Sequence, residues 1–303
     1  MANKRYNLSY ILENRRNDMV RPMHGNSSDG EVEDDFTWDW RTRSLAVKKL
    51  SRIAHPTRAP LVAVEMPPRV LIQYWDDNVV PSDVAACMAT WDALIVHGFK
   101  HFAFDRAGAR DFISQTFTGT YVSAFDAARH PAIRSDYFRL CYLAALGGWY
   151  VDADDVYQGT DLTPLFEPRG LRLQALCYDL DNDQMADAAK ALDGPDDRNV
   201  IHYVNNNPII ARAQHPVVVE ALRHATSSLL RNSSTDRVDV QAVAGPGAIS
   251  LVLARQSRRL ASVTASPDLE IRTDWEAYAR PVWDLAYRRD GRDWRTWDGL
   301  ETL

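Results

Sequence analysis

The sequence predicts an α/β fold, a sheet joined by crossover helices and flanked by further ones. Three observations predict it. Arg69–Trp75 (RVLIQYW) is a β-rich apolar run between a double proline and Asp76-Asp77-Asn78. A helix-like stretch, Ser82–His97, separates it from a second apolar run, Phe99–Phe104. Farther on, Pro131–Leu146 leads through a glycine pair into Trp149-Tyr150-Val151. This β-α-β rhythm is the pattern of a sheet with crossover helices.

Before the first strand the texture differs, and the chain divides into an N-terminal extension, 1–60, and a main domain, 61–303. Gly25–Asp35 (GNSSDGEVEDD) is small, polar and acidic, the composition of a flexible loop. Arg41–Arg58 holds six basic residues and no acidic one. On a helix, Ala46, Leu50 and Ile53 form an apolar stripe, with Lys48, Lys49 and Arg52 opposite. That basic face reads as solvated, or as a dock for an anionic acceptor or partner.

The strongest helix signal is PAIRSDYFRLCYLAAL, with Pro131 at its first position and Gly147-Gly148 closing it. Ser135, Asp136 and Arg139 share one face, while Ile133, Tyr137 and Leu140 pack on another. If the next segment stays extended through residue 154, Tyr150, Asp152 and Asp154 face one way, and Trp149, Val151 and Ala153 the other. Two carboxylates then converge at a strand's C-terminal end, where α/β sheets place ligands. Carboxylates ionised side by side need a cation, and hard oxygen ligands suit Mn²⁺ or Mg²⁺ shared with a diphosphate. A bare DxD also reads as an acidic turn closing a strand.

Composition narrows the field. The chain has 303 residues, 46% hydrophobic and 25% charged, enough for a substantial core. A net charge of −6 gives no general field for polyphosphate, which argues against nucleic acid as a partner. Cys87, Cys141 and Cys177 show no zinc-binding spacing and read as reduced thiols of a cytoplasmic protein. No signal-peptide core or membrane-spanning run is present in the sequence given. Asp179-Leu180-Asp181-Asn182-Asp183 fails as a calcium loop, because Gln184 and Lys190 stand at its Gly and Glu positions.

Context lifts the DxD above chance. Ser135-Asp136-x-x-Arg139, Leu143, Gly147-Gly148, Tyr150 and Asp152-x-Asp154 together resemble the DXD sugar-binding region of family 32 glycosyltransferases. That region also occurs in α-1,4-galactosyltransferases and the clostridial glucosylating toxins. The resemblance extends over roughly residues 68 to 256. Leu71-Ile72-Gln73-Tyr74-Trp75 is similar to the family's first strand, whose tryptophan stacks on the nucleotide base. Asn205-Asn206-Asn207-Pro208 resembles a segment carrying an asparagine into the sugar pocket, and Gly245-Pro246-Gly247 a turn that starts a late helix.

The resemblance implies a GT-A (Rossmann-like) fold and retaining, metal-dependent transfer from a nucleotide-sugar, a UDP- or GDP-sugar, to an acceptor hydroxyl. It implies Asp154 as the principal ligand of Mn²⁺ or Mg²⁺, assisted by Asp152. Asp136, Arg139, Asp152 and Asp154 are the implied catalytic set. Gln73, Trp75, Ser135, Tyr150, Asn206 and Asn207 would help to bind the donor. Relatives complete the site with a C-terminal histidine, or Asn and Ser, before a tryptophan. Here Tyr287–Trp297 has no histidine, leaving Asp290 or Asp293 as a third ligand and Arg292 or Arg295 for the diphosphate. The acceptor, whether small natural product, glycan or protein, is open. The competing readings are an inactive nucleotide-sugar-binding protein and a haloacid-dehalogenase-type phosphatase.

Overall fold

The computed structural model describes residues 40–54, 65–197, 199–231, 238–262 and 268–299, without the side chains of 258–262. The acidic run 25–35 lies outside them. The sheet begins with the predicted unit: β1 (Val70–Tyr74) runs parallel to β2 (Lys100–Phe104) on one side and to β3 (Gly148–Tyr150) on the other. Between β1 and β2, an α-helix (Ser82–Thr90) gives way to a 3₁₀ turn (Trp91–His97) closed by Gly98 in the left-handed region. The expected single helix is therefore two pieces.

The second half of the sheet changes direction. β7 (Val200–Ala211) lies antiparallel to both β3 and β5 (Leu171–Asp179). The free edge of β5 carries β6 (Gln184–Ala186), antiparallel, and β8 (Glu270–Arg272), parallel. The result is a seven-stranded mixed sheet in the order β2-β1-β3-β7-β5-β6, with β8 beside β5. Because β2 and β3 depart to opposite sides of β1, the C-terminal ends of β1 and β3 bound a crevice of the sort where such sheets bind ligands. A small antiparallel ribbon pairs β4 (Asp155–Tyr157) with β9 (Ala279–Pro281) and fastens the C-terminal segment beside the DxD.

Helix Pro131–Leu146 is the backbone of the core. Twelve of its residues are buried, so it packs on nearly every side instead of showing one apolar stripe. His130 caps its start, its Nδ1 accepting from the Ala132 amide at 3.0 Å, while Nε2 lies 3.1 Å from the Gly291 carbonyl. At its other end a Cβ on Gly147 (φ +67°) would lie 2.6 Å from the Ala213 nitrogen, and one on Gly148 would lie 2.8 Å from the Val70 carbonyl. Only glycine lets helix, β1 and β7 meet there.

Helix Trp40–Ile53 falls in the first sixty residues and packs on the same core through Val47 and Leu50. Its basic face requires a correction. Lys49 and Arg52 are exposed, but Lys48 is 1% exposed, its ammonium bonding the carbonyls of Gly194 (3.1 Å) and Pro195 (2.6 Å) with Asp196 at 3.3 Å. A buried lysine requires such acceptors, and composition alone does not reveal that they exist. All three cysteines are buried and free, and no described helix is long and apolar enough to cross a membrane.

Two buried imidazoles impose a pH dependence. His202 packs between β7 and β5, its Nδ1 3.1 Å from the Cys177 sulfur; His215 caps helix Pro216–Arg231 and reaches the Asp268 carbonyl at 3.0 Å. Burial pushes both pKa values down to about 4, with Lys48 reinforcing the effect at His202 and Asp268 opposing it at His215. Between pH 6.5 and 4 the unfolded chain binds protons that the folded chain refuses. This contribution to stability is full above about pH 6.5 and is lost as pH falls toward 4, on the order of a few kcal/mol for the pair. Thermal melts across that range are expected to show a shallower fall for His202→Gln than for the parent protein; identical slopes would exclude His202 as a source.

Candidate functional site

At the crevice, Arg139 gathers the predicted residues around itself. It is 3% exposed, a depth at which a guanidinium needs anionic and polar partners. Its Nη2 lies 2.7 Å from Asp136 Oδ1 and 3.0 Å from Asp152 Oδ1, and donates to Ser135 Oγ at 3.2 Å. Its Nη1 donates to the Asn206 main-chain carbonyl at 2.6 Å, and its carbon sits 4.1 Å from the centre of the Tyr150 ring. The helix spacing of 135, 136 and 139 thus presents one polar face to the end of β3 and the middle of β7. The Tyr150 hydroxyl and Ser135 Oγ are 2.7 Å apart.

Two asparagines of β7 complete this layer. Asn206 donates to Asp136 Oδ1 at 2.8 Å. Asn207 accepts from the Asp152 amide at 3.1 Å and donates to Asp155 Oδ2 at 2.9 Å. Gln73 lies beneath, donating to the Asp152 carbonyl at 3.1 Å while its other end meets His101 at 2.8 Å. The amides of Gln73 and Asn207 are therefore spent on holding the DxD loop. Gly245 closes the layer, since a Cβ there would stand 3.0 Å from Asp136 Oδ2.

Residue 154 departs from the predicted alternation. β3 ends at Tyr150, and the chain turns at Ala153-Asp154, with the Asp155 amide donating to the Asp152 carbonyl at 3.2 Å. The turn leaves Asp152 on Arg139 but sends Asp154 to the C-terminal segment. There Asp154 Oδ2 accepts from the Tyr287 hydroxyl at 2.6 Å and pairs with Arg288. The reason lies in pairing: Asp155 begins β4 opposite Pro281, and a strand cannot run straight from β3 into a different sheet.

Tyr287 also meets the Trp75 ring edge-on, with centroids 5.1 Å apart, and Arg292 lies 5.7 Å from that ring while bonding Asp77. Asp290 is exposed and holds Arg292; Asp293 is buried and accepts from the Arg295 amide at 3.2 Å. Neither joins Asp152 and Asp154, because among the described residues no three metal-ligating side chains gather. Tyr287 and Arg288 instead supply the C-terminal contribution to Asp154.

Asp155 and Arg134, to which the family resemblance assigns no role, also support this end of the sheet. Asp155 is 2% exposed and bonded to Asn207 and to Trp275, whose Nε1 lies 3.4 Å away. Arg134 forks onto Asp76 at 2.6 and 2.9 Å beneath the end of β1. An acidic residue following a DxD and one following the strand's tryptophan were the available signals.

Crowded carboxylates raise one another. The Asp152 carboxyl is pushed up to about 6, chiefly by burial, with Arg139 opposing and Asp154 adding. Asp155 reaches about 8 through burial, then Asp152 and Asp154. Burial also raises Asp136, against the pull of Arg139 and Asn206. Two guanidiniums, those of Arg139 and Arg288, lie among these four acids, and carboxylate oxygens are the ligand type that hard divalent cations take.

No protein-family model matches the chain, and no curated protein matches it. Among solved structures it is similar to one described as PaToxG glycosyltransferase, with a TM-score of 0.46 and 18% sequence identity, covering 73% of this chain and 80% of that one.

Removing the guanidinium tests the electrostatic account. Arg139→Met strands Asp136 and Asp152 without their shared cation and is expected to cost about 3–5 kcal/mol in urea unfolding. Wild-type stability in that variant would show that the cluster does not hold the layer together.

Proposed function

We propose that this chain is a glycosyltransferase that moves a sugar from a nucleotide-sugar, a UDP- or GDP-sugar, to an acceptor hydroxyl on a GT-A-type sheet, with retention. One observation carries the reading: buried Asp136 and Arg139 and half-buried Asp152 form a mutually bonded layer at the C-terminal ends of β1 and β3, with Trp75 at the same ends.

Each group suits a task. Trp75 offers an aromatic face on which a base can stack. Asp136 and Asp152 can accept hydrogen bonds from sugar hydroxyls, and Arg139 fixes both and opposes the burial that favours their protonated forms. Pre-set carboxylates bind hydroxyls without reorganising when the donor arrives. Asp154, helped by Asp152, would hold Mn²⁺ or Mg²⁺. A bound cation would spread the negative charge that grows on the departing diphosphate. Arg288 and Arg292, already at this end of the sheet, add positive charge for the same leaving group. In this reading the acceptor hydroxyl attacks on the face that the diphosphate leaves, which gives retention without a covalent intermediate.

A second reading has one observation in its favour. Tyr287 and Arg288 satisfy Asp154, and Tyr287 covers an edge of Trp75, the arrangement of a protein that binds a nucleotide-sugar without turning it over. Incubation with UDP-, GDP- and dTDP-sugars plus Mn²⁺ separates the two. Transfer predicts slow release of nucleoside diphosphate from one donor and at least a hundredfold loss in Asp154→Asn with an unchanged circular dichroism spectrum. Thermal stabilisation by a donor without release would favour the binder; neither response with any donor would overturn both.

A further inference from the structure

A second concavity lies away from the donor layer. It has a volume of about 390 Å³ and is lined by Arg43, His224, Ser228, Arg231, Asp239 and Gly247, among others. Arg43 comes from helix Trp40–Ile53, whose basic run the proposed reaction leaves without a role; His224, Ser228 and Arg231 come from the last turns of helix Pro216–Arg231. The volume is that of a site for a small metabolite.

Its two arginines differ from those buried or half-buried in the interior. Arg134, Arg139, Arg172, Arg212, Arg272 and Arg288 each hold a carboxylate. Arg43 and Arg231 face the concavity with no hydrogen-bond or ion-pair partner among the described residues. One carboxylate stands at its wall, Asp239, whose Oδ1 caps a short helix by accepting from the amides of Gln241 (2.9 Å) and Ala242 (3.2 Å), and the two guanidiniums outnumber it. His224 feels the same positive surroundings, its pKa lowered by burial and then by Arg255 and Arg231, with Glu220 opposing. A neutral imidazole and the Ser228 hydroxyl can each donate a hydrogen bond. In a chain of net charge −6, two guanidiniums that open on one concavity and have no carboxylate partner among the described residues mark a place for an anion.

We propose that this concavity binds a phosphorylated small molecule, with Arg43 and Arg231 on the phosphate and His224 and Ser228 on its polar body. Guanidinium forks match phosphate oxygens pairwise, and the volume exceeds what inorganic phosphate alone would fill. The site is separate from the donor layer and shares only a turn with it: Gly245 abuts Asp136, while Gly247, two residues on, lines the concavity.

Titration calorimetry in metal-free buffer, with glucose 6-phosphate, inorganic phosphate, glucose and citrate as probes, tests the proposal. The expected result is one-to-one binding of glucose 6-phosphate, weaker binding of phosphate, and none of glucose. Arg43→Gln/Arg231→Gln should weaken glucose 6-phosphate at least tenfold, whereas Asp154→Asn and Arg288→Gln should bind it as the parent does. Should the double variant fail to fold, Arg231→Gln alone, at an exposed position, replaces it with the same direction of effect. Undiminished affinity in the arginine variants, loss in Arg288→Gln, or citrate binding as tightly as glucose 6-phosphate would overturn the proposal. Binding of glucose 6-phosphate with no nucleotide release from any sugar donor would leave this site standing and overturn only the transferase.

Discussion

The interaction on which the rest depends is the burial of one guanidinium among carboxylates. Arg139 lies where water is excluded, so Asp136 and Asp152 must approach it, and both must still present oxygen atoms to the crevice. Taking these charges from water costs several kcal/mol per ion unless further hydrogen bonds satisfy them. Asn206, Ser135 and the Asn206 carbonyl supply those bonds, with Arg139 Nε alone of the guanidinium nitrogens left without one. Only a strand lying beside β3 brings both a carbonyl and an amide side chain to the helix face bearing Arg139.

The remaining architecture keeps that layer in place. Gly147 and Gly148 permit helix, β1 and β7 to converge; Gln73 and Asn207 hold the loop carrying Asp152 from below and from the side. The β4–β9 ribbon brings the C-terminal segment to Asp154 and Trp75. Each device is local, yet all act on the same few ångströms of backbone between residues 150 and 155. The site's rigidity therefore comes from many modest hydrogen bonds, each worth about 1 kcal/mol net.

Much of this was legible in the sequence because it is periodic or punctuated. The first strand, the crossover helix and its glycine stop are written in apolar runs and turn residues, and Ser135, Asp136 and Arg139 fall on one face by helical spacing alone. What could not be read depends on pairing between distant segments. Asp154 leaves the alternation because Asp155 pairs with Pro281, more than a hundred positions away, and Lys48 is buried because carbonyls at 194 and 195 meet it. The roles of Tyr287 and Arg288 were hidden for the same reason: an aromatic and an arginine in a tail rich in both carry no spacing signal.

The Asn206 carbonyl that receives Arg139 is main chain, and this separates position from chemistry in an inheritable way. Any residue except one that breaks β7 preserves that acceptor, so the guanidinium stays anchored while the side chain at 206 is free to change what it offers Asp136. Divergence among descendants of such a chain could then alter which hydroxyl pattern the layer reads, one side chain at a time, without first dismantling the charge cluster that supports it.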